Sequence, residues 1–295
     1  MNKGSRNTYL LMMLPGLAVL ILFNVVPLFG IIMAFQNFNP GKGIIGSPWV
    51  GLTNFKYMFL LKDTWSILYN TFYIAIFKIV GNLFVPLIFS LLLNEVRQKA
   101  FKSSVQTIVY LPHFLSWVIL ASIMLDVFGY AGPVNSVIKF FGGSPVLFFA
   151  RENLFPGLVI GSDIWKEYGF NAVIYLAALT GIDQNLYEAA MADGAGRWRR
   201  LWHITLPGIR TTIVLLAVLG LGNVMNANFD QIFNLYNPLV YSTGDIIDTW
   251  VYRTGLANLQ FSLATAVGLL KSLVGFVMIS VSYSMASKFA NYRIF

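Results

Sequence analysis

Four polar residues with regular spacing interrupt one apolar stretch of the sequence. Asp163, Glu167 and Asn171 follow one another at intervals of four residues, and Lys166 lies three residues after Asp163. On a helix this spacing places the first three side chains on one face and brings Lys166 within reach of Asp163. Ionisable groups are rare in helices as apolar as this stretch. Where they occur, they commonly mark a ligand pathway or a buried pair. The spacing therefore favours a site for a polar ligand, with a structural ion pair as the alternative.

Further polar side chains lie within the neighbouring apolar stretches. Asn223, Asn226 and Asn228 are close together near the end of the fifth stretch, where their amides can bind ligand hydroxyls or neighbouring helices. Lys78 and Lys271 lie inside the second and sixth stretches. Each lysine either pairs with a carboxylate or another subunit, which is the favoured interpretation, or lines a path for an anionic ligand.

The composition excludes several classes of function. The 295 residues are 57% hydrophobic and 11% charged, whereas soluble domains are about one quarter charged, so lipid must solvate much of the chain. The chain contains no cysteine, and His113 and His203 are too few for a histidine-rich metal site. No phosphate-binding Gly-x-x-x-x-Gly-Lys-Ser/Thr motif occurs, so we expect no ATP hydrolysis by this chain. The net charge of +8 indicates basic cytoplasmic loops rather than nucleic-acid binding.

Six apolar segments are long enough to cross a hydrocarbon core about 30 Å thick as helices. They lie near residues 9–35, 69–93, 105–128, 154–181, 210–229 and 261–286. Because lipid cannot satisfy free backbone groups, and alternating ten-residue strands are absent from the sequence, the segments are predicted to be helices. The fold class is therefore an all-α polytopic bundle of six transmembrane helices, forming a single domain of residues 1–295.

Basic residues predict the orientation of these segments. One set of alternate loops contains 11 lysines and arginines and the other set contains six, so the first set is expected to be cytoplasmic. Both termini then lie in the cytoplasm of a multi-pass membrane protein. The first apolar run exceeds the core of about 7–15 residues that a cleaved signal peptide has, so we expect it to be retained.

A loop of small and basic residues, 182–208, separates the fourth and fifth predicted spans, and we call it the elbow. Strong helix formers around Glu188 predict a first helix, and Gly194 and Gly196 predict its end and a turn. A second helix is predicted from Arg197, and Pro207 marks the return to the membrane. The alternative is an ordinary basic loop.

Seven residues of the elbow carry a family resemblance. They are Glu188, Ala189, Ala190, Gly194, Ile204, Leu206 and Pro207. Their spacing resembles the cytoplasmic coupling loop of permeases in binding-protein-dependent ABC importers, which has Glu-Ala-Ala, three residues, Gly, nine residues, Ile, any residue and Leu-Pro. The segments 49–55 and 226–230 also resemble the carbohydrate-importing, maltose-type branch, most of all permeases for oligosaccharides or polysaccharide fragments. Asn237-Pro238 departs from the Gly-Gly-Pro of many sugar permeases.

The resemblance implies a transport subunit rather than an enzyme, in the inner, or plasma, membrane of a bacterial-type cell. It implies that the elbow docks on one of two ATPase subunits, which hold ATP and magnesium, while this chain holds no cofactor. It also implies a second homologous permease, an extracytoplasmic sugar-binding protein and a carbohydrate substrate that crosses the lipid bilayer by alternating access. An ion-gradient-driven secondary transporter is the alternative, but the sequence shows no inverted repeats.

The resemblance also indicates which residues line the substrate pathway. The fourth predicted span aligns with the sugar-lining segment of maltose-type permeases, and the fifth span ends in the three asparagines described above. The residues assigned to the pathway are Asp163, Lys166, Glu167, Phe170, Asn223 and Asn228.

Overall fold

The computed structural model describes the backbone of residues 3–289 and the side chains of residues 10–285. Helices dominate this part of the chain, and its only β-structure is an isolated antiparallel bridge between Gln36 and Trp49. The α-helices are α1 (Lys3–Leu20), α2 (Gly43–Gly46), α3 (Thr53–Leu60), α4 (Asp63–Asn94), α5 (Lys99–Tyr110), α6 (Trp117–Val127), α7 (Pro133–Phe140), α8 (Phe155–Thr180), α9 (Gln184–Ala192), α10 (Arg197–Arg200), α11 (Leu206–Gly208), α12 (Arg210–Gly222), α13 (Phe229–Leu235), α14 (Tyr241–Gly244), α15 (Ile247–Tyr252) and α16 (Phe261–Phe289). Shorter 3₁₀ segments are Val26–Phe35, Leu111–Phe114, Phe148–Ala150 and Pro238–Val240, and π segments are Ile21–Val25, Leu201–Thr205 and Arg253–Ala257.

Within the residues that the structure describes, three continuous helical stretches are long and apolar enough to cross a membrane, namely Leu10–Phe35, Asp63–Asn94 and Phe261–Met285. Two bent pairs raise the number to five if each pair is one span: Lys99–Phe114 with Trp117–Val127, and Arg197–Gly208 with Arg210–Gly222. Helix α8 has 26 residues, which is long enough to cross, but it carries three charged side chains, those of Asp163, Lys166 and Glu167. The prediction of an all-helical membrane fold is confirmed, and the number of six spans stays a prediction.

Two of the predicted spans are interrupted in the structure. The third bends by 103° between Phe114 and Trp117, because Leu115 and Ser116 have an extended backbone and the Ser116 side chain caps the next helix by accepting from the Ile119 N–H. The fifth ends at Gly222 rather than at 229, and a new helix begins at Phe229. Asparagine amides compete with the backbone for hydrogen bonds, and the Asn223 amide donates to the Leu219 carbonyl oxygen at 3.1 Å.

The chain forms two compact units. The first combines residues up to 64 with residues 250–272. Within it, the Asn54 amide donates to the carbonyl oxygens of Ala34 and Gln36 at 2.8 and 2.9 Å, and so ties α3 to the preceding 3₁₀ segment. The backbone N–H of Phe38 donates to the Ser262 hydroxyl at 2.8 Å, which joins this segment to α16.

The second unit combines residues 65–249 with those from 273 onward. Two glycines let α8 approach its neighbours closely. A Cβ on Gly81 of α4 would lie 2.0 Å from Cδ1 of Ile164, and a Cβ on Gly169 of α8 would lie 2.3 Å from the Val109 carbonyl oxygen. Small residues at such contacts allow helix backbones to pack tightly. These contacts hold the polar face of α8 against α4 and α5.

Candidate functional site

A cavity of about 650 Å³ lies in the second unit, bordered by α4, α8, α12 and the segment before α13. Its volume falls in the range of about 300–1,000 Å³ that is typical of small-molecule sites. The polar residues that line it are Lys78, Asn82, Asp163, Glu167, Asn171, Asn223, Asn226, Asn228 and Asp230. The cavity is therefore suited to a ligand with many hydrogen-bonding groups.

A buried ion pair forms one wall of this cavity. The Lys78 ammonium lies 3.3 Å from Oδ1 of Asp163, and both side chains are less than one-tenth exposed. The same ammonium donates to the Ala227 carbonyl oxygen at 2.8 Å and to Oε1 of Gln231. Burial of a charge is costly unless a partner and hydrogen bonds compensate for it. The pair therefore joins α4 to α8 and to the break that precedes α13.

The Asp163 carboxylate is fully engaged by its neighbours. Its Oδ1 also accepts from the Asn228 amide at 3.2 Å, and its Oδ2 accepts from the Asn82 amide at 3.0 Å. Asn228 has a φ of 71°, a left-handed conformation that asparagine tolerates better than most residues. Its Oδ1 accepts from the backbone N–H of Gln231 at 3.3 Å and caps α13. Asp163 thus helps to fix the shape of the helix break.

A second polar cluster surrounds Glu167. Lys166 donates to Oε1 of Glu167 at 3.0 Å and to the His113 carbonyl oxygen at 2.8 Å. The His113 Nδ1 is hydrogen-bonded to Oε2 of Glu167 at 2.7 Å, and the His113 ring stacks on Phe170 with centroids 4.0 Å apart. The pairing of Lys166 with Asp163 that the spacing allowed is absent from these contacts, because Lys78 takes that place.

The structure brings together four of the six residues assigned to the pathway. Asp163, Glu167, Asn223 and Asn228 line the cavity. Lys166 and Phe170 instead contact His113, so their role towards a substrate stays a prediction.

Sequence reasoning missed several residues of the site. Asn82 follows Lys78 by four residues, so the sequence could have placed the two side chains on the same face of α4. His113 and Gln231 gave no signal, because their partners are distant in sequence. Among residues 10–285, whose side chains the structure describes, there is no group of three or more His, Asp or Glu side chains that could hold a metal ion.

The elbow contains two helices, α9 and α10, joined by a turn, and its position as a cytoplasmic coupling element stays a prediction. Asp183 caps α9 by accepting from the backbone N–H of Asn185 at 3.0 Å. Gly194 ends this helix with a φ of 75°, and the backbone N–H of Ala195 donates to the Ala190 carbonyl oxygen at 2.8 Å. This is the Schellman type of helix end, which favours glycine. The chain then continues through α10, a π segment and α11.

A hydrophobic core holds the elbow to the long helices. Leu87, Tyr175, Leu179, Ile182 and Ile209 form this core, which we call the elbow core, and Tyr187 and Ile204 pack against it. The Tyr187 and Thr205 hydroxyls are hydrogen-bonded at 2.9 Å, and this bond links α9 to the π segment that follows α10.

The outer face of the elbow is rich in exposed apolar side chains. Met191, Trp198 and Trp202 are 52%, 75% and 63% exposed. The motif residues divide between this surface and the interior. Glu188, Ala189, Gly194 and Pro207 are exposed, whereas Ala190, Ile204 and Leu206 are half-buried.

Known proteins resemble both the sequence and this structure. Residues 82–288 match the family model described as "Binding-protein-dependent transport system inner membrane component". The polygalacturonan/rhamnogalacturonan transport system permease protein YteP of Bacillus subtilis (strain 168) is 43% identical over 288 residues, covering 97% of this chain and 89% of that protein.

Two crystal structures share the fold. The permease chain of a bacterial ABC transporter that imports the acidic polysaccharide alginate is 34% identical, with a TM-score of 0.89 over 97% of this chain and 98% of that chain. A bacterial alginate ABC transporter in complex with an alginate pentasaccharide-bound periplasmic protein gives 33% identity and a TM-score of 0.89 over 99% of both chains. The chain therefore belongs to the family of inner membrane components of binding-protein-dependent transport systems, as the resemblance of its elbow indicated.

Proposed function

We propose that this chain and a second homologous permease form the membrane pathway of an ABC importer for oligosaccharides. The observation that carries the proposal is the presence, on one membrane subunit, of a polar cavity and an exposed elbow of the coupling type. The relatives named for polygalacturonan, rhamnogalacturonan and alginate support a carbohydrate substrate. An ion-gradient-driven secondary transporter would explain neither the family match nor the elbow.

In this proposal the elbow faces the cytoplasm and docks on one of two ATPase subunits, which bind ATP and magnesium. The alginate transporter bound to its periplasmic protein supports a sugar-binding partner on the opposite side of the membrane. That protein delivers the sugar to the cavity, and ATP binding moves the elbow. Because the elbow core contains Tyr175 and Leu179 of α8, movement of the elbow displaces the helix that carries Asp163 and Glu167.

Charge reversal at Glu188 tests the docking role of the elbow. Glu188 is exposed on α9, so Glu188→Lys should leave folding intact and abolish ATP-driven uptake of labelled oligosaccharide by proteoliposomes containing the whole importer. The ATPase subunits should also co-purify poorly with the variant. Glu152→Lys, which makes the same charge change at an exposed position outside the elbow, is the control. Normal uptake by the Glu188 variant would refute the docking role.

Truncation of Glu167 tests the pathway role of the cavity. Glu167→Ala should change the concentration of sugar that gives half-maximal uptake, or the preference among sugars, while ATPase subunits still co-purify. Uptake should require ATP inside the vesicles and should persist when ion gradients are collapsed. Unchanged uptake kinetics in the variant would assign Glu167 to a structural role only.

A further inference from the structure

A row of four aromatic rings leads away from the cavity along α13. Phe229 lines the cavity, and it stacks on Phe233 with ring centroids 5.1 Å apart and ring planes inclined by 19°. The Phe233 ring lies 6.1 Å from that of Tyr236, which in turn lies 5.1 Å from that of Tyr241. We call these four residues the aromatic track. The track is continuous with the cavity, because Phe229 belongs to both.

The face of α13 that carries the track is polar as well as aromatic. By the periodicity of a helix, Asp230 and Asn234 lie beside the rings of the track, and Asp230 is exposed and lines the cavity. The opposite side of the helix is buried through Gln231, Ile232 and Leu235. Ionisable residues at membrane depth face a protein interior or a water-filled path rather than lipid. The track is therefore suited to a ligand that combines apolar surface with hydrogen-bonding groups.

Hydrogen bonds to α8 and to the loop before it hold α13 in place. The Gln231 amide donates to the Val159 carbonyl oxygen at 2.7 Å and to the Ser162 hydroxyl at 2.8 Å. The Asn237 amide donates to the Phe149 carbonyl oxygen at 2.8 Å. A surface whose shape is fixed before a ligand arrives loses little conformational freedom on binding. The track is thus a preorganised surface.

The track extends towards the end of α8 that lies opposite the elbow. A Cβ on Gly244, which follows Tyr241 by three residues, would lie 2.3 Å from Cε1 of Phe155, the first residue of α8. Asp163 of the cavity wall lies about 12 Å further along α8 at 1.5 Å per residue. Leu179 of the elbow core lies further still along the same helix. A path that enters opposite the elbow and ends in the cavity therefore passes the track.

A sugar chain has the chemistry that this surface matches. A sugar ring carries C–H groups on its faces and hydroxyls around its rim. The faces of an aromatic ring are negative and attract C–H groups, while amides and carboxylates bind hydroxyls. The acidic sugars of polysaccharides such as alginate have C–H faces as neutral sugars do, so the track suits both.

Building on the proposed function, we propose that the aromatic track is a second binding surface, which holds the part of a linear oligosaccharide that extends beyond the cavity. The second permease would complete the path, and the track is the part of its wall that this chain contributes. Import of long oligosaccharides should then depend on the track, whereas a disaccharide that the cavity accommodates should not.

The test uses the complete importer in proteoliposomes with its binding protein and internal ATP. The vesicles are offered mixtures of the disaccharide and the tetrasaccharide of galacturonate, of mannuronate or of galactose, and the accumulated species are identified by mass. The measured quantity is the ratio of tetrasaccharide to disaccharide uptake. Comparison of each variant with the wild type keeps the contribution of the binding protein constant.

Phe233→Leu removes one ring of the track but keeps an apolar side chain. Phe233 is 37% exposed, so the change should leave folding intact. Loss of an aromatic contact changes an equilibrium constant by roughly two- to tenfold, and the ratio should fall by that factor. Phe233→Tyr, which keeps the ring, should retain the wild-type ratio. Phe77→Leu, which removes an exposed ring of α4 outside the cavity lining, is the control and should also retain it.

The sugar-loaded binding protein should co-purify with the Phe233→Leu importer as it does with the wild type. An unchanged ratio in this variant, or an equal loss of uptake for both lengths, would overturn the proposed second surface while leaving the importer function standing. Weaker co-purification of the binding protein would also overturn it, because the row of rings would then serve to dock that protein. Failure of the wild type to accumulate any carbohydrate would instead refute the proposed function.

Discussion

Replacement of Lys78 by methionine would remove one charge of the buried pair while keeping a side chain of similar length. The two charges lie 3.3 Å apart, which corresponds to about 5 kcal/mol of attraction at an effective dielectric constant of about 20. Desolvation offsets much of this attraction, but loss of one partner leaves the other charge buried alone, at a cost of about 3–5 kcal/mol. We therefore expect Lys78→Met to lower the melting temperature in detergent by roughly 10 °C.

A double-mutant cycle with Asp163→Asn separates the ion pair from other effects of the substitution. The double variant buries no unpaired charge, so it should be more stable than the sum of the single changes indicates, with a coupling of at least about 1 kcal/mol. Lys56→Met, at an exposed lysine of α3, is the control and should leave the melting temperature unchanged. Additive effects of the two single substitutions, or a Lys78 variant as stable as the wild type, would refute a stabilising role for the buried Lys78–Asp163 pair.

Three further substitutions have distinct expected results. Gly169→Ala should lower the melting temperature, because the added Cβ would lie 2.3 Å from the Val109 carbonyl oxygen. Gly161→Ala on the same helix is the control and should leave the melting temperature unchanged, because its Cβ would have no atom within 4 Å. Gly194→Ala should cost about 1–2 kcal/mol in thermal unfolding because its φ is 75°, and Gly194→Asn should cost less. His113→Phe should retain the ring stacking but alter the half-saturating sugar concentration in uptake assays, because Glu167 loses a hydrogen bond.

Local spacing predicted a large part of the site. Asp163, Glu167 and Asn171 were predicted to share a helix face, and all three line the cavity. The elbow was predicted from Gly194 and from its neighbouring helix formers, and the structure shows the expected helix end. These features depend on residues within two or three helical turns of one another, so the periodicity of a helix is sufficient to predict them.

Long-range partners could not be predicted in this way. Lys78 was one of two lysines within apolar stretches, and periodicity alone did not decide which carboxylate it meets. The start of α13 after the helix break is capped by Asn228, which is held by Asp163 from a different helix. Hydropathy predicted one continuous span there, since an averaged apolar signal does not detect where side-chain amides replace helical hydrogen bonds.

Helix α8 gives a physical reason for placing a cavity and an elbow on the same subunit. Glu167 borders the cavity, and Leu179 of the same helix lies in the elbow core, about 18 Å away at 1.5 Å per residue. Between them, Gly169 packs against α5 through a contact with no space for a side chain, so α5 is expected to move together with α8. The helix is continuous from Phe155 to Thr180, so a displacement of the elbow must either move the cavity carboxylates or disrupt the elbow core. Disruption would expose buried side chains such as Tyr175, and movement of α8 as one piece is therefore the less costly response.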